Sequence, residues 1–212
     1  MLKRCKVCGK DYFDKSSFIG ESPVCIKCFN EFKVCEEVIL VNNVKIKVLY
    51  YYEDFFRNLI YLFKGCGDYE FKDAFLTYFV KELNLKYHDY YIVPAPSNLE
   101  DDEKRGYNHV EEIFSCLKMP QMKLLKKNKY FKQSDRNKEE REGVKNDISL
   151  ATNEPLINKK ILLVDDIVTT GSTITACYEL IETLHPKKIK VLCLAKKINS
   201  KNEDWNTKSH LW

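Results

Sequence analysis

The stretch ILLVDDIVTTGSTI, residues 161–174, constrains the fold of this chain more than any other. Its four leading apolar residues have no polar face, the pattern of a strand buried on both sides in a parallel sheet. Two acids follow at once, then a turn of small and hydroxylated residues, then a helix start. Such a strand belongs in an α/β domain, where ligands bind beyond the carboxyl ends of the strands. Asp165 and Asp166 stand at that end, and Thr169, Thr170, Gly171, Ser172 and Thr173 form the turn. Backbone N–H groups at a helix start, with the helix dipole, favour a phosphate. Gly171 lets the backbone come close, and the hydroxyls add donors. Two carboxylates beside a phosphate cradle suit ribose hydroxyls, directly or through hydrated Mg2+. Neither GxxxxGK[ST] nor GxGxxG occurs, which sets aside a P-loop and a dinucleotide fingerprint.

The surrounding segments alternate in the same sense. Residues 38–52 read as two β-rich runs around Asn42-Asn43, a tight hairpin. In DFFRNLIYLFKG, Phe55, Phe56, Leu59, Ile60 and Phe63 share one helical face, and Gly65 and Gly67 follow as stops. Phe71 to Leu83 is expected to form a second amphipathic helix. Strands are expected at 90–96, 123–131, 161–164 and 188–195, and helices at 106–118 and 172–184. The alternation gives an α/β domain with a mainly parallel sheet, spanning 36–197. Residues 132–147, almost all charged or polar, read as a loop able to close over a site, and 198–212 as a patternless tail.

Residues 1–35 differ: they are polar, without apolar periodicity, and too short to bury a core of their own. Cys5 and Cys8 form one CxxC, Cys25 and Cys28 another, with 16 residues between them. That is the spacing of a structural Zn2+ held by four thiolates, with Cys35 as a spare candidate ligand. The N-terminus lacks the apolar core of a signal peptide and no run is long enough to span a membrane. A cytoplasmic location is therefore the expectation, and a reduced compartment favours metal binding over disulfides. The net charge of +4 excludes little. The basic stretch 123–145, with Tyr130 and Phe131 inside it, has the composition that single-stranded DNA binding requires, although its acids dilute the charge.

LLVDDIVTTGST resembles the PRPP (5-phosphoribosyl 1-pyrophosphate) motif of type I phosphoribosyltransferases. The resemblance implies that Asp165 and Asp166 meet the ribose hydroxyls and that 169–173 bind the 5′-phosphate. More of the chain resembles the ComF (ComFC-like) family of competence-associated proteins: the paired CxxC, Leu62-Phe63-Lys64 near a glycine, IVPAP followed by Arg105-Gly106-Tyr107-Asn108, and Gln133 followed by Arg141. The implied fold is that of a type I phosphoribosyltransferase with a small N-terminal four-cysteine zinc module. The implied chemistry is transfer of phosphoribosyl to a nitrogen acceptor with Mg2+, pyrophosphate lying near 94–106 against Arg105 and Lys64. The implied cellular role is DNA uptake in natural transformation, without membrane insertion. The alternative is a non-catalytic adaptor that binds single-stranded DNA or senses PRPP. Three departures from the family stand out: the loop SNLEDDEK is acidic where a basic residue is expected, Val144 stands where an asparagine is expected three residues after Arg141, and His109 replaces an expected glutamine. Acids there repel pyrophosphate.

Overall fold

A computed structural model describes residues 2–13, 22–128 and 147–197. The chain opens with a two-stranded antiparallel ribbon, β1 (Leu2–Arg4) and β2 (Asp11–Phe13), and a short helix α1 (Ile26–Phe29). An antiparallel hairpin, β3 (Val34–Val41) and β4 (Val44–Tyr51), follows. Asn42 and Asn43 both take positive φ at its turn, as the sequence predicts. Helix α2 (Asp54–Gly65) buries Phe56, Leu59, Ile60 and Phe63, the expected stripe except for Phe55, which is half-buried.

The single helix expected over 71–83 does not form. A 3-10 helix (Tyr69–Ala74) and a separate α3 (Val80–Lys86) replace it. Ala74, Phe75 and Leu76 are all buried in succession. One face of one helix cannot bury three consecutive residues, so the segment bends to do so.

Strand β5 (Tyr90–Pro94) leads into α4 (Leu99–Arg105) and α5 (His109–Phe114). The chain then passes along the outer edge of β5, where Gln121 bridges Ile92 in parallel. A small antiparallel pair, β6 (Leu125–Lys127) and β7 (Ile148–Leu150), precedes β8 (Lys160–Val168), α6 (Ser172–Glu182) and β9 (Lys188–Lys196). The main sheet runs β3-β4-β9-β8-β5, and only β3 is antiparallel to its neighbour. No helix among the described residues is long and apolar enough to cross a membrane.

Alternation along β8 divides the core into two layers. Leu162 and Val164 pack with α2 and α5 through residues such as Phe63 and Phe114, whereas Ile161 and Leu163 pack with α6 through Ile174, Cys177 and Ile181. From β5 the chain first moves outward to Gln121 and then returns to the other side as β8. The strand order thus reverses at β5, and such a reversal opens a crevice beyond the carboxyl ends of the strands. Strand β5 pairs with β8 only as far as Pro94 and Val164. Residues Asp165 to Val168 run on past it, paired on their other side with β9 up to Lys196. The expected strand end at 164 therefore lies four residues too early, because β9 continues to supply partners after β5 has stopped.

The cysteine-bearing segment packs on the same core. Phe32 is buried against Tyr50, Phe55 and Phe56, with ring centroids 5.0–6.3 Å away. Phe29 stacks on Tyr78 and Lys6 pairs with Glu70.

Candidate active site

Asp166 is the buried acid of the pair, only 6% exposed. It follows Leu162 and Val164 in the alternation and so faces α2 and α5. There its carboxylate makes an ion pair with Lys64, from the last turn of α2, and lies 3.5 Å from Nε2 of His109, the first residue of α5. Burial alone would raise its pKa, but the neighbouring His109 imidazole and the Lys64 charge outweigh burial and hold the carboxyl well below the usual range. Asp165 faces the α6 side. Burial, and then the charge of Asp166, raise its pKa well above the ordinary value. It has no cation of its own among the described contacts beyond the influence of Lys64. A hydroxyl donor or a dication is what such a carboxylate lacks.

The segments that carry Lys64 and His109 are locked together. Tyr107 donates its hydroxyl to the carbonyl of Phe63 at 2.7 Å and stacks on the Phe63 ring at 5.3 Å. Arg105 gives Nη1 to the Lys64 carbonyl at 3.4 Å and Nη2 to Asp102 Oδ1 at 2.9 Å. Leu62-Phe63-Lys64 and Arg105-Gly106-Tyr107-Asn108, 41 residues apart at their arginine and lysine, thus form one frame around Asp166. Lys64, Arg105 and Ile167 border a cleft of about 690 Å³ that also takes in Tyr52, Tyr61 and Lys104.

Two helix starts face this end of the sheet, and they are opposites. At α6 the N-cap Gly171 has no side chain to offer, the Ser172 amide reaches Thr170 Oγ1 at a long 3.4 Å, and the first turn holds no acid. Gly171 sits at φ 74°, and a Cβ there would lie 2.5 Å from Val41 Cγ1 at the end of β3. Only glycine satisfies both demands. Thr169 and Thr170 are exposed, Ser172 and Thr173 half-buried, and the Thr170 and Ser172 hydroxyls lie 3.0 Å apart. At α4, by contrast, Asn98 caps the amide of Glu100, and Glu100, Asp101 and Asp102 fill the first turn. The positive end of the first dipole is unopposed by acids, whereas three acids oppose the second.

An open loop is the expectation for 94–106. Asn98, the acids after it, Lys104 and Arg105 in the last turn, and Gly106 in the left-handed conformation instead make it a capped helix. These signals are present in the sequence. Asn108 caps α5 by accepting from Val110 and Glu111, which starts that helix later than the expected 106. His109, Tyr107, Asn108, Ser97 and Asp102 are site residues to which motif reasoning assigns no role.

Cys5, Cys8, Cys25 and Cys28 converge as expected, their sulfur atoms all within 4.8 Å of one another. The cluster is one that could hold a metal ion. Burial raises the Cys5 thiol, yet the N–H groups of Cys25, Cys8 and Val7 more than offset this and bring it down to about 7. Cys28 is driven up by burial and by its neighbouring sulfurs. Four thiolates cannot coexist here without a cation, which is the condition a tetrahedral metal meets. Cys35 is not part of the cluster; its thiol points to the Val48 carbonyl at 3.6 Å. Lys123 pairs with Glu111 at 2.8 Å. Lys126, exposed, and Lys127, half-buried, lie in β6. Residues 129–146 of the proposed basic surface and lid, and the tail 198–212, lie outside the described residues.

The family described as the phosphoribosyl transferase domain matches residues 103–211, which include the acid pair, the turn and α6. The chain belongs to this family. Its fold is the type I phosphoribosyltransferase fold, a sheet of mainly parallel strands flanked by helices. The chain is 29% identical to Competence protein ComFC of Streptococcus pneumoniae over 76% of its length and 71% of that protein. It is 30% identical to Competence protein ComFC of Bacillus subtilis over 67% of its length, but this match spans only 58% of the Bacillus protein. A purine phosphoribosyltransferase structure from Pyrococcus horikoshii aligns at 22% identity over 63% of this chain and 78% of that one, with a TM-score of 0.37. The ComF resemblance read from the motifs is borne out by the competence-protein matches.

Opposite signs are expected for the two acids. The raised Asp165 is favourable below about pH 4 and its contribution is lost as pH rises through its folded pKa, so Asp165→Asn raises the neutral-pH melting temperature. Asp166, held low, stabilises above the usual carboxylate range and loses this as pH falls, so Asp166→Asn, which strands Lys64, costs about 3 kcal/mol at pH 7. Denaturant unfolding of both variants between pH 4 and 8 checks the pair of signs.

Proposed function

We propose that this chain is a ComF-type protein that binds PRPP with Mg2+ and serves DNA uptake in natural transformation. One observation carries the ligand assignment. Asp165 and Asp166 emerge past the end of β5 at the reversal of strand order, and the next helix start has no side chain at its N-cap, is free of acids and is closed by Gly171. Ribose hydroxyls are the donors that the two carboxylates need, and the 5′-phosphate is the acceptor that the amides and hydroxyls of 169–173 need. Mg2+, held by the diphosphate and the aspartates, would neutralise charge on the leaving group. Lys64, Lys104 and Arg105 border the side of the cleft assigned to pyrophosphate.

In the enzymatic form of this proposal, a nitrogen nucleophile displaces pyrophosphate at ribose C1 through an oxocarbenium-like state. The chain's part is to position the sugar and stabilise charge. The second form is an adaptor that binds PRPP without turnover. It draws support from the cations, since Lys64 is paired with Asp166 and Arg105 with Asp102. The competence role draws support from the ComFC similarities.

Calorimetry with PRPP and Mg2+ is expected to give saturable heat that Asp165→Asn weakens by at least about tenfold, the loss of one charge-assisted contact. Pyrophosphate release with candidate nitrogen bases, above that of the Asp165→Asn protein, separates transfer from sensing. No heat at millimolar PRPP would remove the assignment.

We also propose that the four cysteines hold one structural Zn2+. Titration with Co2+ is expected to give one equivalent of tetrahedral thiolate absorption, reduced in Cys8→Ser. Removing the metal is expected to lower the melting temperature by about 10 °C, because Cys5, Cys25 and Cys28 share the core with Phe32. An unchanged melting curve after chelation would refute a structural ion.

A further inference from the structure

Asp101 lines the side of the cleft assigned to pyrophosphate, and the Arg105 that borders it is paired with a second anion of the chain, Asp102. Asp102 Oδ1 accepts from Arg105 Nη2 at 2.9 Å, and the two side chains are only 17% and 12% exposed. Its second oxygen accepts from Ser97 Oγ and, at 3.3 Å, from Asn108 Nδ2. Asn108 Nδ2 also reaches Ser97 Oγ at 2.8 Å. The carboxylate is therefore fixed by the loop after β5, the end of α4 and the N-cap of α5. It is not one of the solvated surface pairs that contribute little. Arg105 keeps one donor in reserve: its Nε is buried without a partner.

We propose that Asp102 is a specificity-determining residue, an internal anion that occupies Arg105 and admits to this side of the cleft only a ligand long enough to engage Lys104 as well as Arg105, a diphosphate. The proposal rests on the PRPP reading for the neighbouring sugar. Asp102 is tethered three residues from Arg105, so it competes at an effective concentration of roughly millimolar or above. A monophosphate offers Arg105 little that the carboxylate does not already give. A diphosphate can span Arg105 and Lys104, which border the same cleft, and its charge-assisted hydrogen bonds outweigh the one displaced. Once released, Asp102 keeps Ser97 and Asn108, so the exchange leaves no buried charge without partners. The acidic loop thereby becomes a filter on the reach of the leaving group.

The test compares the full-length, zinc-bound protein with Asp102→Asn, which keeps the shape and the bonds to Ser97 and Asn108. Each is titrated calorimetrically with inorganic phosphate, inorganic pyrophosphate and PRPP in Mg2+ buffer. Asp102→Asn is expected to bind pyrophosphate and PRPP about tenfold more tightly. Phosphate binding is expected to become measurable at millimolar concentration, and the gain to vanish in Asp102→Asn/Arg105→Gln. If Asp102→Asn melts far below the parent, Asp102→Ser, with its hydroxyl, replaces it in the same comparison. Equal PRPP and pyrophosphate affinities in parent and variant would overturn the role of Asp102 while leaving the sugar-phosphate assignment intact. Absence of PRPP binding in both would overturn the two together.

Discussion

The site depends on one buried contact, the Asp166 carboxylate held between Lys64 and His109. A carboxylate this deeply buried is costly unless a partner neutralises it. The partners come from the end of α2 and the start of α5, so satisfying one charge fixes two helices against the end of β8. Arg105, at the end of α4, and Tyr107, just before α5, then bind α2 side chain to backbone, through the carbonyls of Lys64 and Phe63. The crevice at the sheet's edge owes its shape to this frame. The charge balance also explains why the two neighbouring aspartates behave so differently: alternation along β8 turns one to the cations and the other to the α6 side.

A second constraint sets where an anion can sit. Val41, at the end of β3, leaves no room for a side chain at residue 171. The neighbouring Asn42 amide reaches Thr175 Oγ1 at 3.3 Å, fastening the hairpin to the first turns of α6. At that start the N-cap residue itself supplies no side chain, and the only side-chain acceptor for its amides among the described residues is Thr170 Oγ1, 3.4 Å from Ser172 N. At α4 the chain supplies its own cap and its own acids. Two helix starts near the same cleft thus carry opposite electrostatic invitations, and the difference lies in a handful of side chains.

Much of this was legible in the sequence because it rests on local pattern. The strand-acid-glycine-helix order, the Asn42-Asn43 turn, the α2 stripe and the cysteine spacing each depend on residues near one another. What stayed hidden depends on residues far apart. Nothing in LFK or RGYNH announces that Lys64 and His109 meet the same carboxylate, since the meeting is set by how α2 and α5 pack on β8. The broken 71–83 segment is a different failure. Its apolar residues satisfy a helical period at a glance, yet Ala74, Phe75 and Leu76 are buried from more than one side. The helix at 99–105 could have been read from Asn98, its acids and Gly106, but its acids drew notice as a hazard for pyrophosphate instead of as the first turn of a helix. Arg105 shows the limit of motif transfer, since its guanidinium lies against Asp102 in a pairing that the motif does not contain.

Hydrogen–deuterium exchange on Asp166→Asn tests the central contact most directly. Removing the charge should loosen the two helix ends that meet it and leave the sheet intact. Amides at 62–67 and 105–110 are predicted to exchange faster than in the parent, while those at 161–164 and 191–195 keep their protection. Unchanged exchange at both helix ends, or uniform loss of protection across the sheet, would contradict the view that this single carboxylate organises the site.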